Sequence, residues 1–158
     1  MRAVVLDCPD PSALAEFYRQ LVGGEITYAD DEWVNLRDGG NVLLSFQRAP
    51  DYQPPEWPSG ERGQQFQIDV TVDDVDRAEQ QVIALGARRT ELQPGIEEDS
   101  NWRVYLDPVG HPFCLCWGLT RPAAGRRQPH WGAFVDFFRQ SAGLRWRVGL
   151  PCGELGGE

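Results

Sequence analysis

The chain has 158 residues, 24 of them acidic and 15 basic, for a formal net charge of −9. Its 41% hydrophobic and 25% charged residues are the balance of an ordinary globular domain with a core of its own. The acidity argues against nucleic acid or an anionic membrane as the main partner, since both need a basic face, and no apolar run nears the ~20 residues that a bilayer span requires.

In chain order, residues 3–8 alternate as a first strand. Asp10-Pro11-Ser12 then starts a helix, with Asp10 as N-cap and Pro11 at the first helical position. Leu14, Phe17, Tyr18 and Leu21 fall at i, i+3, i+4 and i+7, a single buried stripe, and Gly23-Gly24 ends it. Strands follow at 25–29, 32–37 and 41–48, the last two joined by the hairpin signal Asp38-Gly39-Gly40. Residues 49–63 hold four prolines and two glycines and read as a linker, with Tyr52 and Trp57 as its anchoring aromatics over a cleft. A strand at 65–72 and a helix at 74–85 come next. The helix is capped by Asp73 or Asp74, with Val75, Ala78, Val82 and Leu85 inward. Strands near 87–92, 102–107 and 112–117 complete the pattern, with Asp107-Pro108-Val109-Gly110 as the last turn.

The two halves therefore share a layout. Residues 4–24 (VVLDCPDPSALAEFYRQLVGG) and 67–87 (QIDVTVDDVDRAEQQVIALGA) are each strand, acidic turn, helix and glycine. The expected fold is α+β, two tandem βαβββ modules whose sheet curls around a cleft. The first module spans 1–48, the linker 49–63, the second module 64–118 and a C-terminal extension 119–158. Within the extension, Trp131, Phe134, Val135 and Phe138 have the spacing of a short amphipathic helix, and the residues from 149 on read as frayed. That stripe implies docking on an outer face of the chain or of a second copy, so a homodimer is expected.

Alternation assigns faces. In the first strand Val4, Leu6 and Cys8 pack on the helix, so Ala3, Val5 and Asp7 face the cleft. The same logic sends Leu43, Ser45 and Gln47, then Gln67, Asp69 and Thr71, then Cys114 and Cys116 to the cleft, with Trp33, Trp102 and Tyr105 at its rim. Aromatic walls with a few polar groups suit a small organic ligand. The expected ligand-binding set is Asp7, Trp33, Gln47, Gln67, Asp69, Thr71, Trp102 and Cys114. Asp69 is the one catalytic candidate, as a general base raised by an apolar cleft, set against the plainer reading of a surface ion pair. His111 in a turn reads as structural or solvent-facing, and His130 lies in a linker. The four cysteines (Cys8, Cys114, Cys116, Cys152) form no CxxC pair, so a zinc knuckle is not expected. Reduced thiols and a cytoplasmic location are expected, because the first strand begins almost at once with no apolar stretch behind a basic start.

The stretches LDCPDPSALAEFY, PPEWPSGERGQQFQIDVTVDDVDRAE and YLDPVGHPFCLCW, set in the tandem modules, resemble the vicinal oxygen chelate superfamily over residues 3–118. That superfamily includes glyoxalase I, extradiol dioxygenases and bleomycin-resistance proteins. Within it the chain looks like the glyoxalase-like subgroup common in actinobacteria. The resemblance implies a cleft in which metal-using members hold a divalent ion on the first and fourth strands of each module, through His, Glu or Gln. Carried over, those positions are Ala3, Ser45, Gln67 and Cys114, a set with no histidine or carboxylate. The expectation is a small-molecule binding protein with no cofactor and no metal. The alternative is a divalent-metal-dependent lyase, isomerase or dioxygenase of the glyoxalase I or extradiol type.

Overall fold

The computed structural model describes residues 3–39, 41–93, 100–118 and 146–148. The expected helix at 131–138 lies outside these residues. Four strands form the first sheet: β1 (Val4–Cys8), β2 (Glu25–Ala29), β3 (Trp33–Asp38) and β4 (Asn41–Arg48), in the order β1-β4-β3-β2. The second sheet holds β5 (Ile68–Val72), β6 (Arg88–Arg89), β7 (Trp102–Leu106), β8 (Pro112–Cys116) and β9 (Trp146–Val148), in the order β6-β7-β8-β5-β9. Each is mixed. The first strand of each module runs parallel to the fourth, β1 to β4 and β5 to β8, and the other pairs are antiparallel. The fold is α+β, and neither sheet closes on itself.

Both helices form where their caps and stripes require. In α1 (Pro11–Val22) the Asp10 side chain accepts from Ala13 N at 3.0 Å, and Leu14, Phe17, Tyr18 and Leu21 are buried. In α2 (Val75–Ala84) the cap is Asp74, which accepts from Arg77 N at 3.0 Å. Ala78 and Val82 are buried there, and Val75 and Leu85 are partly buried against the same core. Gly24 follows α1 with φ +89°, and a Cβ there would lie 2.5 Å from Arg37 O, so only glycine lets the chain return beside β3.

Helix α1 is shared by both modules. Tyr18 lies 5.7 Å from Phe46 of the first sheet, and Phe17 meets Phe113 of the second edge-on at 5.9 Å. One apolar cluster runs from Leu6, Val34, Leu36 and Phe46 through α1 to Val70, Val82, Tyr105, Phe113 and Leu115. Each large side chain buried there contributes about 1.5–3 kcal/mol by area.

Three elements differ from the sequence expectation. β5 begins at Ile68 rather than near 65, because its ladder with β8 starts at Ile68↔Phe113 and the preceding Pro112 has no N–H to donate. β6 covers two residues where strand was expected over 87–92. Beyond it the Gln93 side chain takes over the pairing: its Nε2 donates to Val104 O and its Oε1 accepts from Val104 N, both at 2.8 Å. β9 was not foreseen. It lies antiparallel on the outer edge of β5, with Thr71 opposite Arg147.

Candidate functional site

The faces of the two sheets turned away from the apolar core carry the expected site residues, and the strand register sorts those residues into rows. On the first sheet Asp7 lies opposite Gln47, and Gln47 opposite Trp33. The neighbouring row is Val5, Ser45, Asn35 and Tyr28. On the second sheet the rows are Asp69, Cys114 and Val104, then Thr71, Cys116 and Trp102. The repeat thus places Ser45 where Cys114 sits, and Trp33 where Trp102 sits. Asp7, Trp33 and Gln47 come together on one sheet, and Gln67, Asp69, Thr71, Trp102 and Cys114 on the other. Between the modules, α1 makes contacts to both: Phe17 meets Phe113, and Tyr18 donates to Asp107 while packing near Phe46. Tyr105, expected at the rim, is instead fully buried on the core side, stacked 5.5 Å from Phe113, because its register partner Phe113 faces the helices.

On the second sheet, Gln67 Nε2 donates to Asp69 Oδ1 at 2.8 Å and lies 3.0 Å from Cys114 Sγ. Gln67 Oε1 accepts from Gln64 at 3.2 Å. The Cys114 thiol is pushed far above the ordinary thiol range, first by burial and then by the charge of Asp69, which also accepts a hydrogen bond from it. It is therefore a neutral thiol, not a nucleophile. Cys8 and Cys114 are free thiols as expected, but Cys116 is disulfide-bonded, so the expectation of reduced thiols does not hold there. Trp57, from the linker, and Trp102 pack against Val104, Cys114 and Cys116, so this face is partly roofed by indole rings. Tyr52, expected beside Trp57, goes elsewhere. Its hydroxyl donates to Val109 O at 3.1 Å and lies 3.1 Å from His111 Nε2.

That second location is a buried polar knot which the sequence reading missed. Asp107 Oδ2 accepts from the Tyr18 hydroxyl at 3.1 Å and lies 2.8 Å from His111 Nδ1. Its Oδ1 accepts from the backbone of Val109 and of His111. His111 is therefore structural and buried. The knot joins α1, the linker and the last turn of the second module. The Asp107-Pro108-Val109-Gly110-His111 stretch carried the signal, because an Asp two and four residues before amide donors is an Asx-turn pattern.

The first sheet's face is built differently. Trp33 Nε1 donates to Asn35 Oδ1 at 2.7 Å, and Ser45 Oγ donates to the same oxygen at 2.8 Å. Ser45 is buried, 1% exposed, while Val5 and Tyr28 in its row are 42% and 51% exposed. Asn35 is central to this face and was not singled out from the sequence.

The four positions at which metal-using relatives of this fold hold their ion do not suit one here. Ala3 has no donor atom. Ser45 donates its hydroxyl proton to Asn35, and Gln67 turns its nitrogen toward Cys114, so the three side chains bring a hydroxyl, an amide and a single thiol. A hard or borderline divalent cation prefers carboxylate or imidazole, and none of the four supplies either. Among the described residues no group of three His, Cys, Asp or Glu side chains could hold a metal, and no helix is long and apolar enough to cross a membrane.

Two tandem βαβββ modules are the fold of the glyoxalase/bleomycin resistance/dioxygenase class. The chain belongs to the glyoxalase-like domain family, whose match covers residues 3–116. Among solved structures it is similar to a glyoxalase/bleomycin resistance protein/dioxygenase family enzyme from Burkholderia phytofirmans PsJN. The two share 23% identity and a TM-score of 0.56, covering 75% of this chain and 98% of that one. The genomically encoded fosfomycin resistance protein FosX of Listeria monocytogenes gives the same TM-score, 0.56, at 16% identity, covering 75% and 92% of the two chains. A glyoxalase-related enzyme from Fulvimarina pelagi is 14% identical with a TM-score of 0.53, covering 84% and 99%. At these identities the likeness shows the fold alone. No curated protein matches the sequence.

Proposed function

We propose that this protein binds a small organic molecule against its open sheet faces, without a metal ion, and works as a homodimer. The observation that carries the reading is the composition of the four ion positions: Ala3 offers no donor, and Ser45, Gln67 and Cys114 bring neither carboxylate nor imidazole. What the faces do offer is Trp33 and Trp102 at equivalent places of the repeat, with Asp7, Gln47, Gln67, Asp69 and Thr71 near them. Indole walls with a few fixed polar groups hold a small molecule without chemistry. In this reading a second copy would supply the other wall of the site. Asp69 takes hydrogen bonds from Gln67 and Cys114, so its place in this reading is to orient a ligand rather than to abstract a proton.

Elemental analysis of the purified, dialysed protein tests the reading. The expected metal content is below about a tenth of an ion per chain, because a site of this composition has no competitive affinity. About one Zn, Ni, Mn or Fe per chain would overturn it and favour the divalent-metal lyase or dioxygenase alternative.

A further inference from the structure

We infer that Asn35 reads a carbonyl-type hydrogen-bond acceptor on a planar ring that lies along Trp33, which names the ligand's chemical class within the small-molecule reading above and rests on it. Two hydrogen bonds fix which end of the Asn35 amide points where. An indole N–H can only donate, so the atom of Asn35 that lies 2.7 Å from Trp33 Nε1 has to be the oxygen. The Ser45 hydroxyl reaches that same oxygen at 2.8 Å and donates as well. Two donors fill both lone pairs of Oδ1. The carboxamide is thereby locked, and its NH2 group, two donors that make no hydrogen bond among the described residues, is the end left for a ligand.

The surroundings suit a flat ring. Asn35 stands between two aromatic side chains, with Trp33 two residues along the same strand and Tyr28 opposite it on β2. Ser45, beneath, is buried, and Val5, beyond it in the same row, offers an exposed apolar surface. Such a bed recognises a ring by its faces and edge contacts, and the fixed NH2 group then selects among rings for one bearing a carbonyl, lactam or quinone oxygen. The lock is what makes this selective. A free asparagine would rotate to offer its oxygen to a ligand amine equally well, whereas here a rotated amide would turn N–H against the donor-only Trp33 N–H and give up the bond from Ser45. The second module has no counterpart, since Val104 holds the equivalent place, so the first module's face is the one that discriminates.

The test uses the full-length protein and three tricyclic probes of one shape, followed by quenching of tryptophan fluorescence. The probes are 9-fluorenone, which carries an acceptor, fluorene, which carries none, and 2-aminofluorene, which carries a donor. Fluorenone should bind roughly three- to tenfold tighter than fluorene, the range for one neutral hydrogen bond at a half-open site. Asn35→Asp keeps the acceptor for Trp33 and Ser45 but replaces the NH2 group by a charged oxygen. In that variant the fluorenone advantage should vanish and aminofluorene should gain. Ser45→Ala, a milder change that releases one half of the lock, should shrink the fluorenone preference while leaving the melting temperature near wild type, and it answers the question if Asn35→Asp fails to fold. Equal binding of fluorenone and fluorene to the wild type, or a preference that survives Asn35→Asp, overturns the role of Asn35 and leaves the ligand-binding reading standing. Failure of all three probes to bind overturns both.

Discussion

Cys8 and Cys114 show how burial turns a reactive residue type into a structural one. Cys8 is fully buried under α1, and its thiol is pushed up to about 11, by burial first and then by the carboxylates of Asp10, Asp107 and Asp7. Cys114 moves the same way for the same leading reason. A thiol is neutral while protonated, so a raised folded pKa means that the native state holds the proton more firmly than the unfolded chain. The corresponding stability is fully present below the ordinary thiol pKa of 9.0 and is lost as pH climbs from there toward about 11. The melting temperature is therefore expected to fall across pH 9 to 10.5, and the Cys8→Ala, Cys114→Ala double variant to fall less steeply over the same range. Parallel curves for the two proteins would remove the thiols from the account. Side-chain alternation made this burial legible for Cys8, whereas it sent Cys114 to the cleft face, where the thiol is nonetheless buried. It could not reveal that Gln67 would donate to Cys114, since that depends on the register of β5 against β8. Nor did it single out Asn35: an asparagine within a strand gives no sign in the sequence that two donors lock its oxygen.

At the scale of elements, what could be read from the chain was whatever local chemistry decides. Asp10 and Asp74 cap their helices through side-chain bonds to Ala13 N and Arg77 N, and an acidic residue before an apolar stripe is enough to announce that. Asp10→Ala and Asp74→Ala are each expected to cost about 1 kcal/mol, measured by urea unfolding, with the slope of the transition unchanged. A loss below a few tenths of a kcal/mol would mean that water replaces the cap. Where strands end was less legible, because tertiary partners decide it. Pro112 delays β5 by withholding a donor, and the Gln93 side chain substitutes for backbone beside Val104 and cuts β6 short. The linker aromatics divide for a related reason. Trp57 finds the apolar patch of Val104, Cys114 and Cys116, while Tyr52, with a hydroxyl to satisfy, goes to Val109 and His111.

Over the whole molecule the repeat is not symmetric, and the asymmetry lies in the tail. β1 and β5 are the same element of the two modules. Yet β5 has β9 on its outer edge, and among the described residues nothing pairs with the corresponding edge of β1. The repeat itself was legible from sequence. β9 was not, since three residues far from the modules carry no periodic signal, and their pairing is decided by an edge that only exists once the second sheet has formed. A bare β5 edge would expose a row of backbone N–H and C=O groups beside the buried side chains of Val70 and Val72. Ending the chain after Gly118 should therefore lower the melting temperature by several degrees, the scale of about 1–2 kcal/mol in a domain of this size. It should also raise the mass seen in light scattering, as freed edges find one another. Arg147→Pro, placed within β9, separates this effect from the loss of the rest of the tail, because proline removes a ladder donor and disfavours the paired geometry. The substitution should reproduce a part of the destabilisation. If truncation and Arg147→Pro both leave melting temperature and mass unchanged, β9 contributes nothing to the second sheet, and the five-stranded arrangement is no part of what holds the molecule together.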